Sequence, residues 1–368
     1  AMAPLSQLKE WLLGSWGQPR VAACSSSSGK SEYWDDFVDS FTASCVNGGF
    51  PQLLRRPGEE DGFAGAGTAR NATPVSVAPA AKRLVAIGDL HGDFEKACRA
   101  FEVAGLVDEN LDWVGGKTVA VQVGDVLDRG GEELQIFHLL EKLKGQASEA
   151  GGALHVLNGN HEIINVAGRF RYATRSAMEE FQRWEQVSRF GKRLKCLCSK
   201  DRRRCEAMVA AASASGIEAR KNLLKPGGEV SQLFLAQNPV ALVVGSSVFV
   251  HGGLHPNHLD YGLERMNAEA SEWIRGQSKD EDAGVPWFLQ GRNAIVWSRM
   301  YSQQSEERCD CEMLKEALQK LPGTRRMVVG HTVQYPMGIN SVCNDSVFRV
   351  DVGASSGVVD AEPEVLEI

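Results

Sequence analysis

The sequence predicts an α/β fold built on largely parallel strands, and three observations carry that prediction. From residue 83 onward, short β-branched and apolar runs alternate with longer stretches of helical periodicity. Such alternation marks crossover units, in which helices cover a buried sheet. The apolar runs end repeatedly in Gly beside Asp, Asn or His. The chain of 368 residues is 43% hydrophobic, an ordinary globular composition with room for one large domain or two smaller ones.

Residues 1–82 read as an N-terminal extension, partly flexible. "SSSSGKS" and "GEEDGFAGAGTARNATPVSVAPA" have linker composition, and "YWDDFVDSF" between them has the spacing of a short amphipathic helix. "SGKS" is not a phosphate loop, because Cys24 stands where that loop needs its first glycine. The regular pattern then begins. "RLVAIGD" predicts a strand, "FEKACRAFEVAGL" a helix, "TVAVQVGD" a second strand, "ELQIFHLLEKLKGQA" a second helix, and "ALHVLNGNHE" the start of a third strand. Residues 167–237 interrupt the rhythm with a charged, largely helical insert. Strands return at "VALVVGSSVFVHGG", "RRMVVGHT" and "SVFRVDVG". The catalytic domain is placed at 83–361, with 362–368 as a C-terminal tail.

Several function classes are excluded early. A formal charge of −7 leaves no basic field for nucleic acid. No apolar run approaches the roughly 20 residues that span a bilayer, so no membrane partner is expected. No targeting signal is evident, which reads as cytoplasmic and leaves an organelle open. The nine cysteines are odd in number, and reduced thiols are the plain reading for so large a chain. Cys196 and Cys198, and Cys309 and Cys311, nevertheless form two Cys-x-Cys pairs, with Cys205 close by in a basic stretch. A basic field lowers thiol pKa, so a reversible disulfide is a second reading. A Cys196–Cys198 ring is tight. Cys198–Cys205, or a bridge from the insert to the 309/311 segment, is the better pairing, and these segments would be the surface for a redox or regulatory protein partner.

The strand ends carry the chemistry. They offer Asp89, His91, Asp125, Asn160, His251 and His331, and ligands of open α/β sheets gather at that edge. One Asp at a strand end is a turn; the same device five times is a site. Carboxylates mixed with imidazoles suit Mn, Fe or Zn rather than Ca, with manganese placed first. Six such side chains exceed the need of one open catalytic ion and fit two divalent ions sharing a carboxylate. His155 and His138 read as structural, and His255 and His258 as rim residues.

"GDLHGD", "GDVLDRG", "GNHE", "HGG" and "GHT" occur in that order over residues 83–353. This resembles the metallophosphoesterases of the phosphoprotein phosphatase family, and the form of "GDVLDRG", "NGNHE" and the charged insert is similar to its Shewanella-like branch. "DDFVDSF" and "RCDC" look like the plant members. The resemblance implies a calcineurin-like αββα sandwich with the 167–237 insert as a helical cap. It implies metal ligation by Asp89, His91, Asp125 (bridging), Asn160, His251 and His331. Arg129 and Asn160 would bind phosphate, His161 would protonate the leaving group, and Asp128 would orient His161. For a second phosphate arginine, "AIVW" looks like a strand delivering Arg299 to the same edge, which favours Arg299 over Arg292.

The implied function is a dinuclear-metal phosphoprotein phosphatase, hydrolysing phosphomonoesters by direct attack of a metal-bridging hydroxide. The alternatives are a nucleotide or small-molecule phosphoesterase on the same scaffold, and a non-catalytic, redox-responsive binding protein. Two departures from the common Ser/Thr phosphatases matter. Asn158 stands where they carry arginine, and no "SAPNY" segment follows His331. The family's usual toxin sensitivity is therefore not expected.

Overall fold

The computed structural model describes residues 73–196, 203, 213–278 and 284–368. The helix expected over "YWDDFVDSF", and the residues Cys198 and Cys205, lie outside the described residues. The described chain divides into two compact units. Residues 186–196 and 203 belong to one, and the sheets and the site described below belong to the other.

The first described strand is β1 (Val77–Ala78). The chain then alternates as expected through β2 (Leu84–Ile87), α1 (Phe94–Val103), β3 (Val119–Gln122), α2 (Glu133–Glu149) and β4 (Ala153–Val156). The helices α3 (Asn160–Val166), α4 (Arg175–Cys196) and α5 (Gly216–Leu224) follow, with a π-helical turn at Ser231–Leu235. Next come the hairpin β5 (Ala241–Val244) and β6 (Ser247–Val250), then α6 (Pro256–Tyr261), α7 (Leu263–Ile274) and α8 (Cys311–Gln319). The strands β7 (Arg326–Val329), β8 (Asn340–Val342), β9 (Val347–Arg349) and β10 (Val365–Glu367) complete the order.

These strands form two sheets, ordered β1-β5-β6-β7-β9-β8 and β10-β2-β3-β4. Within them β2, β3 and β4 are parallel, as are β6, β7 and β9. Their C-terminal ends therefore share an edge in each sheet. Every residue of β2, β5 and β6 is buried, which is why these segments read as continuous apolar runs rather than alternating ones. Leu84, Ala86, Val121 and Val123 of one sheet share a single core with Leu242, Val244, Phe249 and Val328 of the other. The sheets thus pack face to face, as the αββα expectation requires. The outer faces are covered by helices with one apolar stripe. In α1 the stripe is Phe94, Ala97, Ala100 and Phe101, and Asp93 caps its start by accepting from the Lys96 N–H at 3.1 Å.

Three features differ from the sequence reading. β1 falls inside the 1–82 extension and β10 inside the expected tail, each paired to a sheet. Edge strands of two or three residues are too short to show an alternation, so composition alone set those boundaries. "AIVW" is not a strand. It is a succession of turns, because the Trp297 and Ser298 N–H groups both donate back to the Ala294 carbonyl. The expected bridge from the insert to the 309/311 segment is also absent. Cys311 is bonded to Cys343, whose Cα lies 5.4 Å away in the turn between β8 and β9. Cys309 is a free, buried thiol, so this segment presents no pair of free thiols to a redox partner.

Candidate active site

Each site residue sits just past the end of a strand. Asp89 and His91 follow β2, Asp125 follows β3, and Asn160 and His161 open α3 after β4. From the other sheet, His251 follows β6 and His331 follows β7. The close-packed loops are possible because of their glycines. Gly124 adopts φ +101°, and a Cβ at Gly159 would lie 2.2 Å from an Asp125 carboxylate oxygen.

The structure brings the six expected ligands together. His251 Nε2 lies 3.1 Å from Asp125 Oδ2 and 2.9 Å from Asn160 Oδ1. His91 Nε2 lies 3.8 Å from Asp125 Oδ2 and 4.0 Å from Asp89 Oδ2. The His331 N–H donates to Asp89 Oδ2 at 3.2 Å. Two overlapping groups of donor atoms result, His91, Asp125 and His161 in one and Asp125, His251 and His331 in the other, each within 4.8 Å throughout. Asp125 belongs to both.

These residues fit metal ions on several grounds. His91 Nδ1 donates to the Leu127 carbonyl at 3.1 Å and His251 Nδ1 to the Val123 carbonyl at 3.0 Å. Each bond fixes the tautomer and leaves Nε2 with a lone pair facing inward. His331 Nε2 is buried and has no hydrogen-bond partner among the described residues. Burial pushes the His91 imidazole down to about 4 and also holds His331 well below its ordinary value, so both are neutral donors. Burial, then the neighbouring Asp351 and Asp125, pushes Asp89 well above the usual carboxylate range. Burial also opposes ionisation of Asp125, but the neighbouring histidines, His251 first and then His161, outweigh it and hold that carboxyl low. Crowded buried carboxylates beside neutral imidazoles are the donor set that divalent cations relieve.

The proposed acid and phosphate residues flank this set. His161 Nδ1 donates to Asp128 Oδ2 at 2.7 Å, and His161 Nε2 lies 3.8 Å from Asp125 Oδ2. Burial disfavours the imidazolium, yet Asp125, Asp128 and Glu162 together raise its pKa above the ordinary value. Arg299 donates to the His331 carbonyl at 2.9 Å and to Thr332 Oγ1 at 2.8 Å, so the turns of "AIVW" still deliver it to the edge. Arg292 is exposed. Arg129 stands over the Tyr172 ring at 5.2 Å, and its buried Nε has no hydrogen-bond partner among the described residues. His138 binds a carbonyl of its own helix, and His255 bonds Ser298 Oγ; neither joins the cluster.

Sequence reasoning missed four residues. Asp351, two residues past β9, adds a third buried carboxylate, raised to about 6 by burial. Its signal was the "VD" at a strand end, the device already seen in the "GD" motifs. Glu162 accepts from the N–H groups of Asp125, Val126, Leu127 and Gly159, which ties two motif loops together. The other two, Arg220 and Glu133, reach Asp128 from outside every motif.

The calcineurin-like phosphoesterase family profile matches residues 82–335. The chain is 49% identical to Shewanella-like protein phosphatase 2 of Arabidopsis thaliana, over 78% of this chain and 75% of that one. It is 26% identical to Shewanella-like protein phosphatase 1 of Plasmodium berghei, over 74% and 67% of the two chains. Among solved structures, the cold-active protein tyrosine phosphatase of a psychrophilic Shewanella species superposes with a TM-score of 0.56 at 21% identity, covering 80% of this chain and 78% of that one. That likeness supports the fold.

Proposed function

This chain belongs to the calcineurin-like phosphoesterase family and, within it, to the Shewanella-like protein phosphatases, and from that premise we propose that it hydrolyses phosphomonoesters on proteins at a two-metal site. Its 49% identity to a protein phosphatase of Arabidopsis thaliana supports the phosphoprotein substrate. The single observation that carries the chemistry is the His161–Asp128 pair, facing the carboxylate common to both donor groups.

Asp89, His91 and Asp125 would hold one ion, with Asp125, Asn160, His251 and His331 holding the other. Two divalent cations held there would neutralise phosphate charge and lower the pKa of water, the chemistry that direct hydrolysis without a covalent enzyme intermediate requires. Arg129 and Arg299 bind the equatorial oxygens, where a phosphoryl transition state spreads its charge. Asn160, beside His251, adds an amide to the same phosphate. Asp128 holds the proton on His161 Nδ1 and leaves Nε2–H to protonate the departing oxygen.

The test joins metal analysis of the purified protein to turnover of phosphopeptides and nucleotides. Two equivalents of metal and preferential phosphopeptide hydrolysis are expected. Nucleotide turnover exceeding phosphopeptide turnover would reassign the substrate class, and full activity after chelation would end the two-metal reading.

A further inference from the structure

Arg220 is completely buried, heads the largest fully buried side chains among the described residues, and stands outside all the glycine motifs. It projects from α5 of the insert. Its Nη2 donates to Asp128 Oδ1 at 3.0 Å and to Glu133 Oε1 at 3.2 Å. Nη1 donates to Glu133 Oε2 at 2.5 Å, and Nε to Asn165 Oδ1 at 2.8 Å. Asn165 passes the contact on, donating through Nδ2 to Asp128 Oδ2 at 2.9 Å and to the His161 carbonyl at 2.8 Å. Glu133 Oε1 also accepts the Asp128 N–H at 2.6 Å, and Asp128 holds a left-handed backbone at φ +69°. The rings of Phe181 and Phe170 lie 4.6 and 5.9 Å from the guanidinium centre.

A clamp that only fastened the insert would need one ion pair. This one occupies both oxygens of the carboxylate that holds His161, one directly and one through Asn165. Asp128 Oδ1 is held by the guanidinium, so Oδ2 is the oxygen left for His161 Nδ1. A planar fork with fixed donors sets orientation as well as charge.

We propose that Arg220 is a positioning residue for the leaving-group proton, holding Asp128 in the one orientation that aims His161 at the departing oxygen. This rests on the reading of His161 as the general acid. In that step the P–O bond to the leaving group breaks, its electron pair stays on oxygen, and that oxygen takes the Nε2 proton. The insert is thereby joined to catalysis through α5, although α5 itself contributes no group to the reacting atoms.

Leaving-group dependence separates this role from a structural one. A phenolate of low basicity departs without help, whereas a basic one needs the proton. Arg220→Lys keeps the charge and loses the fork. Its kcat for phenyl phosphate should fall about tenfold or more, toward the roughly 10²–10⁴-fold that general acids supply. With 4-nitrophenyl phosphate it should fall less than about threefold, with KM and metal content unchanged. The double variant Arg220→Met, Glu133→Gln removes both charges, keeps an acceptor for the Asp128 N–H, and repeats the comparison if the lysine variant does not fold. His161→Ala is the reference for a lost acid. If His161→Ala discriminates between the two esters and the Arg220 variants slow both equally or neither, Arg220 is only a clamp and the proposal is overturned. If His161→Ala slows both esters equally, the assignment of the acid falls first and the role of Arg220 with it.

Discussion

Asp125 and His161 are close neighbours with opposite expected phenotypes. Asp125 belongs to both donor groups, so Asp125→Asn should strip metal and abolish nearly all turnover, as metal analysis beside a rate assay would show. His161→Ala should keep its metal and lose about 10²–10⁴-fold in kcat. Loss of metal in that variant would make His161 a ligand instead, a result its 3.8 Å approach to Asp125 makes worth measuring. The six residues expected as ligands could be picked out one by one because each follows an apolar run and stands beside a glycine. Several of these residues also take left-handed backbones, His91 at φ +46°, Asp125 at +57° and His331 at +67°. Non-glycine residues occupy that region at a cost of about 1–3 kcal/mol each, and persist where the surroundings over-determine them. The four N–H groups gathered by Glu162 are part of that constraint.

At the scale of elements, the central strands were legible and the insert was legible only as helical. Its charged periodicity says that α4 and α5 form, but not which charged residues turn inward. Arg220 reaches Asp128 across 92 residues of sequence, and no local pattern marks such a contact. Glu180 on α4 is a second inward charge. Its carboxylate accepts from the Leu134 and Gln135 N–H groups at the start of α2. Burial, then the Glu133 charge, pushes it from an ordinary 4.5 to about 8. Between those values the folded chain keeps a proton that the unfolded chain has released, so stability falls as pH rises through that window. Below it both states are protonated and above it both are ionised, and the contribution is flat. Glu180→Gln keeps an acceptor for the amides and should flatten this part of the pH dependence, read as urea midpoints at about pH 5 and about pH 8. An unchanged slope would place the titration elsewhere.

The whole molecule rests on the core between its two sheets. Phe249 of β6 is completely buried at its centre, and Phe249→Ala should cost about 3–5 kcal/mol in chemical denaturation. A loss below about 1 kcal/mol would mean that the sheets close over the gap. The αββα layering itself came from resemblance. The apolar runs announce strands but not how many sheets they make, since a run buried on both faces looks the same in either arrangement.

Asp89 and the backbone of His331 meet across 242 residues of chain. Synthesis runs from the first of these toward the second. The loops after β2, β3 and β4 precede most of the other sheet, so His91, Asp125 and His161 leave the ribosome while β5 to β9 are still untranslated. The donors His251 and His331 arrive later, and β10 comes to lie beside β2 later still. A nascent chain therefore carries half a chelator, with the outer edge of β2 bare, for much of its time on the ribosome. A cation bound at that stage would meet only the early half of the donor set, and the other half would join when the second sheet closes.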